Sequence, residues 1–282
     1  MSEMQDRIDL NNALEEAYIG VDVGGTHTDV AVLIGNNLER GKALTTYDDF
    51  SRGVLDAVAV AASRHGLDVK RLLRGTRLFV NGTTVVTNAI TTLSGSRVGV
   101  IVTSGFKDTF RFSGGPRVTE FDDHLQVNAP DLFDRNALIE VDERIDWAGN
   151  ILAPLDTKQL RTGVTQLIDE QHVEALAICF LNSFLNPENE LLAQTIVREL
   201  YPDIFVTLSH AVFPVRGENR RWTTAVLNSF VQKGARAYLE SLSTRLRAAG
   251  LNGGLAFFQG LGGGISQPRA SAYPLALLGS GP

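Results

Sequence analysis

The sequence of 282 residues contains one cysteine, Cys179. A single thiol excludes a disulfide framework and a cysteine-based zinc site, because each needs at least two cysteines. Cys179 lies within the apolar run 175–181, which predicts that its side chain is buried in a core. This cysteine usage favours a protein of the reducing cytoplasm.

Clusters of basic residues and long apolar runs are also missing. Lys and Arg together number 26 against 32 Asp and Glu, which gives a formal net charge of −6. Nucleic acids and anionic membranes are bound through dense Lys and Arg, so neither is expected as a partner. No stretch approaches the roughly 18 apolar residues of a membrane span, and the polar N-terminal segment predicts no export signal. The expected partner is a small molecule or another protein.

The sequence does contain enough apolar material for about two domains of roughly 150 residues, because 44% of its residues are hydrophobic. Runs of β-branched residues predict strands at 18–23, 29–34 and 38–46, and apolar residues at helical spacing predict a helix at 51–65. The next strands and helices are expected in alternation at 77–80, 84–93, 97–102 and from residue 106. This order predicts a mixed sheet with an antiparallel hairpin on one side and parallel crossovers on the other.

The second half of the chain alternates in the same way. A hairpin is predicted from 139–144 and 151–152, and a long helix at 218–249. The other expected elements are helices at 156–171 and 188–200, strands at 175–180 and 204–208, and short strands from residue 255. The aperiodic stretch 113–130 predicts an excursion over the surface. A charged group there could close over a substrate, although a solvated surface is the favoured interpretation; it comprises Arg111, Arg117, Glu120, Asp122, Asp123 and His124.

The stretch 22–29 is the most informative in the chain, because it places two glycines and two threonines between two predicted strands. Gly24 and Gly25 are expected to turn the backbone with positive φ and to bring N–H groups close to a phosphate. Thr26 and Thr28 would add hydroxyl donors. A plain hairpin turn with two capping threonines is an equally weighted alternative.

Asp22 stands at the end of the first predicted strand, immediately before this loop. A carboxylate there would face a magnesium ion bound to the phosphates, usually through water, because magnesium gives up its hydration reluctantly. The loop is not a P-loop, since no Gly-Lys-Ser/Thr follows, and it is not a dinucleotide fingerprint, since a strand comes next. It is therefore interpreted as a phosphate clamp between two strands.

Two further motifs have a functional and a structural interpretation each. Gly82, Thr83 and Thr84 lie between a predicted strand and a helix, where they could bind an anion or simply cap the helix. Arg216 and Glu218 lie at the start of the long predicted helix, where Glu complements the helix dipole. They could orient a carbonyl or phosphoryl oxygen, or belong to a solvated network of ion pairs.

Five stretches together resemble one family. The glycine loop and the order β-β-β-α-β-α-β-α resemble the ribonuclease H-like ATPase domain of actin, hexokinase and Hsp70. Four further stretches narrow the resemblance to the hydantoinase A and 5-oxoprolinase family, whose relatives include ketone carboxylase subunits; they lie at 81–89, 216–224, 258–264 and 279–282. The resemblance runs from about residue 18 to the last residue.

The resemblance implies an α/β fold with a mixed sheet and helices on both faces, plus part of a second α/β lobe. On this basis 1–17 is an N-terminal extension, 18–182 is the ATPase-like lobe, and 183–282 is the beginning of the second lobe. Members of the family continue past the Ser-Gly-Pro motif into a second phosphate loop. The second lobe is therefore expected to be truncated here.

The function implied by the resemblance uses ATP and Mg²⁺. ATP would phosphorylate the carbonyl oxygen of a lactam, a cyclic imide such as hydantoin or 5-oxoproline, or a ketone. A hydantoinase B-like partner subunit would then hydrolyse or carboxylate the activated compound. The resemblance makes the protein an ATP-dependent amidohydrolase or a subunit of a ketone carboxylase.

The resemblance also implies roles for particular residues. Asp22, Arg216 and Glu218 would be catalytic, and Asp22 would also hold the magnesium. The nucleotide phosphates would be bound by the remaining motif residues, which are Gly24, Gly25, Thr26, His27, Thr28, Gly82, Thr83, Thr84, Gly262 and Gly263. The sequence departs from the family pattern at Leu261, where relatives usually have a polar or acidic residue before the glycine pair.

Three other functions are compatible with the sequence. One is a small-molecule kinase of the same fold, which the start of the long helix at 216–221 disfavours. Another is a non-catalytic or truncated subunit that binds a partner chain, which the missing second phosphate loop favours. The third is an Hsp70-like chaperone ATPase, although no peptide-binding domain is visible.

Overall fold

The computed structural model describes residues 16–110 and 132–281. The charged group between Arg111 and His124 and most of the predicted N-terminal extension lie outside the described residues. The described residues divide into two compact units, 16–94 with 233–281 and 95–110 with 132–232. This division differs from the boundary predicted at residue 182. None of the helices in the described ranges has the length and apolar character needed to cross a membrane.

Twelve strands and eight α-helices are found in the described residues. The strands are β1 (Ala17–Val23), β2 (His27–Ile34), β3 (Asn37–Leu44), β4 (Thr76–Thr83), β5 (Val98–Thr103), β6 (Leu138–Val141), β7 (Arg144–Ile145), β8 (Ile151–Ala153), β9 (Ala175–Cys179), β10 (Phe205–Leu208), β11 (Gly254–Phe258) and β12 (Gly264–Ser266). The helices are α1 (Phe50–Arg64), α2 (Val69–Arg74), α3 (Val85–Thr91), α4 (Thr157–Thr165), α5 (Glu188–Leu200), α6 (Ser209–Val212), α7 (Glu218–Ala248) and α8 (Gln267–Ala272). A π-helical turn, Gln166–Glu170, extends α4.

The first unit is built on a six-stranded mixed sheet with the order β12-β11-β4-β1-β2-β3. The hairpin strands β1, β2 and β3 pair antiparallel, whereas β4 pairs parallel with both β1 and β11. The predicted mixed sheet, with a hairpin on one side and parallel crossovers on the other, is confirmed. The strand expected at 97–102 forms β5 in the second sheet instead. Its place in this sheet is taken by β11, which lies far along the chain.

Helix α1 covers one face of this sheet. Asp49 caps it by accepting a hydrogen bond from the backbone N–H of Ser51 at 3.1 Å, and Val54, Ala57 and Ala61 are among its buried residues. The helix lies so close to β3 that a Cβ atom on Gly41 would stand 2.0 Å from the carbonyl oxygen of Ala57. Glycine is therefore required at this crossing.

The opposite face of the sheet carries rows of side chains that run across the strands, and two of these rows differ in character. One row contains exposed apolar residues, Leu78, Tyr18, Leu33 and Leu38, which are direct neighbours in the strand register. The row nearest the carboxyl end of β1 contains Gly82, Asp22, Asp29 and Lys42 in the same neighbouring order. One face of the sheet thus changes from apolar to charged toward the first loop.

The second unit contains a four-stranded parallel sheet with the order β10-β9-β5-β6. Cys179 lies in β9, where burial raises the pKa of its thiol, so the predicted buried position is confirmed. The hairpin predicted from 139–144 is wrong in part, because β6 joins the sheet parallel to β5 and only β7 pairs with β8. The sequence pattern identified a strand there but contained nothing that distinguishes its partner.

Helix α2 was not predicted from the sequence. It has six residues and is capped by Asp68, whose carboxylate accepts a hydrogen bond from the N–H of Arg71 at 2.7 Å. A helix this short spans less than two turns, so it gives no readable apolar period. The long helix α7 follows the prediction at both of its ends.

Candidate functional site

The strands β1, β4 and β11 run parallel, so their carboxyl ends lie at one edge of the six-stranded sheet. Ligands of open α/β sheets bind at such edges. The segments that leave these strands contain the glycine loop at 24–26, Thr84, and the turn at 259–263. Four of the five stretches that carried the family resemblance therefore lie in the first unit. Three of them follow these strands, and the stretch that begins at residue 279 reaches the edge through Ser280.

The glycine loop is a tight connection between β1 and β2. The N–H of Gly24 donates to the carbonyl of His27 at 3.0 Å, and a Cβ on Gly24 would lie only 3.0 Å from the same oxygen. Neither Gly24 nor Gly25 has a positive φ, so that expectation is wrong. Glycine is needed at position 24 because a side chain would crowd the turn. A Cβ atom on Gly25, by contrast, would meet nothing within 4 Å.

The tip of this loop presents free donors. Gly25 and Thr26 are exposed, and their N–H groups have no acceptor among the residues that the structure describes. Two adjacent N–H groups without protein acceptors are the arrangement from which backbone anion sites are built. His27 begins β2 and is partly buried.

Two residues that the sequence prediction missed hold the loop from the segment after β3. Thr45 donates its hydroxyl proton to the carbonyl of Gly24 at 2.9 Å, and the Tyr47 hydroxyl donates to the carbonyl of Gly25. Thr28 is fully buried, with its hydroxyl 3.3 Å from that of Thr45. Because the Thr45 proton is already used, Thr28 donates its own proton to Thr45. Its predicted role as a phosphate ligand stays a prediction, and this geometry favours a structural role.

Asp22 is the next-to-last residue of β1 and is partly buried, and its Oδ1 atom is buried without a hydrogen-bond partner in the described residues. Burial and the neighbouring carboxylate of Asp29 raise the pKa of Asp22. Asp29 lies directly opposite on β2, and both its oxygens are 2.9 Å from Nζ of Lys42. Lys42 thus compensates Asp29, whereas Asp22 forms no ion pair with any residue that the structure describes.

The C-terminal segment of the described chain approaches Asp22 closely. A Cβ on Gly82 would lie 2.8 Å from the carbonyl oxygen of Ser280, and a Cβ on Gly281 would lie 2.7 Å from Cγ2 of Thr84. The same hypothetical atoms would lie 3.7 Å and 3.5 Å from Oδ1 of Asp22. Glycine at both positions lets this segment cover the carboxylate.

Thr83 and Thr84 use their hydroxyls inside the protein. Thr83 Oγ1 accepts from the N–H of Val85 at 3.2 Å, and Thr84 Oγ1 donates to the carbonyl of Val23 at 3.2 Å. The N–H of Thr84 also donates to Val23, at 3.1 Å. The bond from Val85 favours capping of the helix by Thr83, the hydroxyl of Thr84 makes no capping bond, and the binding of phosphate by this motif stays a prediction.

Gly262 and Gly263 form the turn between β11 and β12, with positive φ values of 93° and 81°. The N–H of Gln259 donates to the carbonyl of Gly263 at 2.9 Å and closes the turn. Leu261 projects fully into solvent at its tip. The positive φ values explain the glycine pair, because L residues rarely adopt them.

A cleft of about 670 Å³ lies along the open face of the sheet. Apolar groups line most of it, including Val80, Ala31 and Phe258. Asp22, Gly82 and Ser280 line the part of the cleft nearest the glycine loop. The cleft therefore combines an apolar floor with the unpaired carboxylate at one end.

Arg216 and Glu218 belong to the second unit, whereas the residues described above belong to the first. Arg216 is exposed, and Oε1 of Glu218 lies 3.7 Å from the guanidinium of Arg221. Arg221 itself is fully buried and donates to Ser209 Oγ, to the carbonyl of Val215 and to that of Phe180. The neighbouring Arg220 is exposed, so this motif contains one buried arginine and two exposed ones.

Comparison with known protein families identifies one that matches most of the chain. The family model described as the hydantoinase/oxoprolinase N-terminal region matches residues 18–201. The acetophenone carboxylase gamma subunit of Aromatoleum aromaticum is 32% identical over 257 residues, which are 87% of this chain and 35% of that protein. The caprolactamase subunit alpha of Pseudomonas jessenii is 30% identical over 251 residues, covering 88% of this chain and 36% of that protein.

Two solved structures have the same fold as this chain, a caprolactamase and an acetone carboxylase. The crystal structure of the ATP-dependent caprolactamase from Pseudomonas jessenii has a TM-score of 0.84 at 28% identity, covering 94% of this chain and 38% of that one. A nucleotide-free acetone carboxylase, from work on ATP-dependent acetone carboxylation, has a TM-score of 0.82 at 25% identity and covers 92% and 38%. The chain spans little more than a third of the length of these relatives.

Proposed function

Because the chain belongs to the hydantoinase/oxoprolinase family, we propose that it carries nucleotide-binding residues of an ATP-dependent enzyme that phosphorylates a carbonyl oxygen. The proposed substrates are lactams, cyclic imides such as hydantoin and 5-oxoproline, and ketones. A hydantoinase B-like partner subunit would hydrolyse or carboxylate the activated compound. The chain spans 35% to 38% of the relatives compared above, so the activity is proposed for the assembled enzyme.

One observation carries the proposal. Oδ1 of Asp22 is buried without a partner in the described residues, beside a loop whose tip has two N–H groups without acceptors. An unpaired buried oxygen is destabilising by about 1–3 kcal/mol, which a protein tolerates where a ligand completes the site. Donors for an anion and an acceptor for a cation occur side by side, as a magnesium–nucleotide complex requires.

The residues present fit a magnesium ion. Magnesium takes oxygen ligands, keeps several waters, and is usually bound through one or two carboxylates plus substrate phosphates. Asp22 supplies such a carboxylate, and burial together with the neighbouring Asp29 raises its pKa. Asp22 would hold the ion, while Lys42 keeps Asp29 occupied. Neutralisation of the phosphoryl charge is the chemistry that the ion supplies when bound.

The chain's own residues would position the nucleotide. Gly25 and Thr26 would donate their N–H groups to phosphate oxygens, and charge-assisted bonds of this kind contribute about 1.5–3 kcal/mol each. The small residues Gly82 and Gly281 would keep side chains away from Asp22. Gly262 and Gly263 would approach the nucleotide from the neighbouring strand end.

Arg216 and Glu218 are proposed to act on the substrate side. Arg216 is exposed and presents five N–H donors suited to a carbonyl or phosphoryl oxygen. Glu218 is three-quarters buried and lies against the guanidinium of Arg221, so its carboxylate is held in place. Phosphoryl transfer depends mainly on positioning and on charge stabilisation, which are the contributions that these groups make.

A screen of substrate-stimulated ADP release tests the proposal. The assembled enzyme is incubated with magnesium and ATP together with lactams, hydantoins, or ketones plus bicarbonate. One class is expected to raise ADP release at least tenfold above the rate without substrate. The proposal fails if the enzyme binds the magnesium–ATP complex and no class stimulates ADP release.

A further inference from the structure

A fully buried carboxylate in the second unit is surrounded by hydrogen-bond donors. Oε1 of Glu190 accepts from the N–H of Phe180 at 3.0 Å and from Oγ of Ser209 at 2.6 Å. Oε2 accepts from the N–H of His210 at 3.1 Å and lies 2.6 Å from Nδ1 of the same residue. These four contacts use the lone pairs of the carboxylate and fix the position of the imidazole ring.

The contact with Glu190 determines which nitrogen of His210 carries the proton. An ionised carboxylate can only accept hydrogen bonds, so Nδ1 carries the proton and donates it to Oε2. In the neutral ring, Nε2 is then an unprotonated base. The side chain of His210 is 17% exposed, and Nε2 has no partner within the described ranges. One edge of an oriented imidazole is therefore open to a ligand.

The same network holds the segment that contains the proposed substrate-side residues. Arg221 donates to Ser209 Oγ at 3.2 Å and to the carbonyl of Val215 at 3.0 Å, and its guanidinium lies 3.7 Å from Glu218. Val215 immediately precedes Arg216. His210 and the two ends of the stretch 215–218 are thus connected through the buried side chains of Glu190, Ser209 and Arg221.

The proposed reaction needs a base, a role that the proposed function gives to none of its residues. When the carbonyl oxygen of a lactam or imide attacks the γ-phosphorus, an O–P bond forms and the bond to ADP breaks. The protonated imidate group that results loses its N–H proton, which leaves a neutral C=N group and returns the electron pair of the N–H bond to nitrogen. A ketone loses an α-C–H proton in the same way and forms C=C. In both cases a proton must leave the substrate.

We propose that His210 is the catalytic base that takes this proton at Nε2, and that Glu190 orients its ring. The carboxylate of Glu190 compensates the imidazolium that forms, as the carboxylate does in other carboxylate–histidine pairs. The proton is then released from Nε2 to solvent. This inference rests on the proposed function, because it assigns the base of that reaction.

The tautomer of His210 is tested without any activity measurement. In protein labelled with ¹⁵N-histidine, NMR is expected to find the proton of the neutral His210 ring on Nδ1 and none on Nε2. Glu190→Gln replaces one acceptor by an amide donor, so the proton of His210 is expected to move to Nε2. A wild-type ring protonated at Nε2 would overturn the proposal.

The catalytic role is tested by two matched substitutions. His210→Asn keeps a side-chain N–H near the position of Nδ1 and removes Nε2, whereas His172→Asn makes the same change at an exposed histidine. His210→Asn is expected to lower kcat for substrate-stimulated ADP release 10²- to 10⁴-fold, with KM changed less than threefold. His172→Asn is expected to match the wild type.

The outcomes separate this inference from the proposed function. If the wild type turns over a substrate and His210→Asn retains kcat within threefold, His210 only satisfies Glu190 and the inference is overturned. If the wild type has no substrate-stimulated ADP release, the proposed function fails and the assignment of a catalytic base fails with it. The Tm of His210→Asn, expected within a few degrees of the wild type, distinguishes lost catalysis from lost folding.

Discussion

Thr83 and Ser280 are joined by two hydrogen bonds although 197 residues separate them in the sequence. The N–H of Thr83 donates to Ser280 Oγ at 3.3 Å, and Ser280 Oγ donates to the carbonyl of Thr83 at 3.0 Å. This pair fastens the C-terminal segment to the end of β4. The segment then covers Asp22, so the pair connects the fold directly with the candidate site.

Replacing Gly82 by alanine tests this closure. The new Cβ would stand 2.8 Å from the carbonyl oxygen of Ser280, so one of the two backbones must move. Gly82→Ala is expected to destabilise the protein by about 1–3 kcal/mol in denaturant unfolding, as overpacking does. Gly20→Ala is the control, because it lies on the same sheet face and would meet nothing within 4 Å. Equal stability of the two variants would contradict the closure.

The buried arginine of the second unit is expected to matter for folding, in contrast to its neighbour. Arg221→Met leaves the carbonyls of Phe180 and Val215 and the hydroxyl of Ser209 without this donor, and the Phe180 and Ser209 bonds are buried. The expected loss is about 3–5 kcal/mol in the free energy of unfolding. Arg220→Met, which changes an exposed side chain, is expected to cost less than about 0.5 kcal/mol. If Arg221→Met lowers the free energy of unfolding no more than Arg220→Met does, the hydrogen-bond network of Arg221 is refuted.

The cap of α1 predicts a pH dependence of stability. Burial alone would raise the pKa of Asp49, but hydrogen bonds from Ser51 and the charge of Arg245 lower it overall. A carboxylate with a lowered folded-state pKa stabilises the protein above its unfolded pKa near 3.8, and this contribution is lost as the pH falls through the folded value. Asp49→Ala is therefore expected to destabilise by about 1–2 kcal/mol at pH 7 and by less below pH 3.

Unfolding by urea at several pH values measures this dependence. Asp48→Ala is the matched control, since Asp48 is exposed and pairs only with Arg52 on the surface among the described residues. The control is expected to differ from the wild type by less than about 0.5 kcal/mol at every pH. If the difference in the free energy of unfolding between the wild type and Asp49→Ala does not decrease in acid, the lowered pKa of Asp49 is contradicted.

The sequence predicted the elements whose formation depends on residues close together in the chain. The glycine loop after β1, the capped helix α1 and the long helix α7 all follow from turn residues and apolar spacing within a few residues. The place of Ser280 beside Thr83 could not be predicted, because nothing in either motif encodes a contact between distant segments. The assignment of β11 to the first sheet escaped prediction for the same reason.

The candidate site was predictable in part. Asp22 follows from the strand end and the loop, and the structure gives it a buried oxygen without a partner. The positive φ expected at Gly24 was wrong because a tight turn needed space rather than an unusual backbone angle. In the motif at 216–221, adjacent arginines have opposite exposure, which depends on how the helix packs and cannot be read from spacing.

The most direct test of the account is the rate of substrate-stimulated ADP release after Asp22→Asn, a change that preserves shape and removes the charge. Asp56→Asn, on the exposed side of α1, is the control. The account predicts that Asp22→Asn lowers the rate by about 10²- to 10³-fold or more. Its Tm should be equal to or above that of the wild type, because a desolvated carboxylate is removed beside Asp29. A rate within threefold of the wild type would contradict the central role of Asp22.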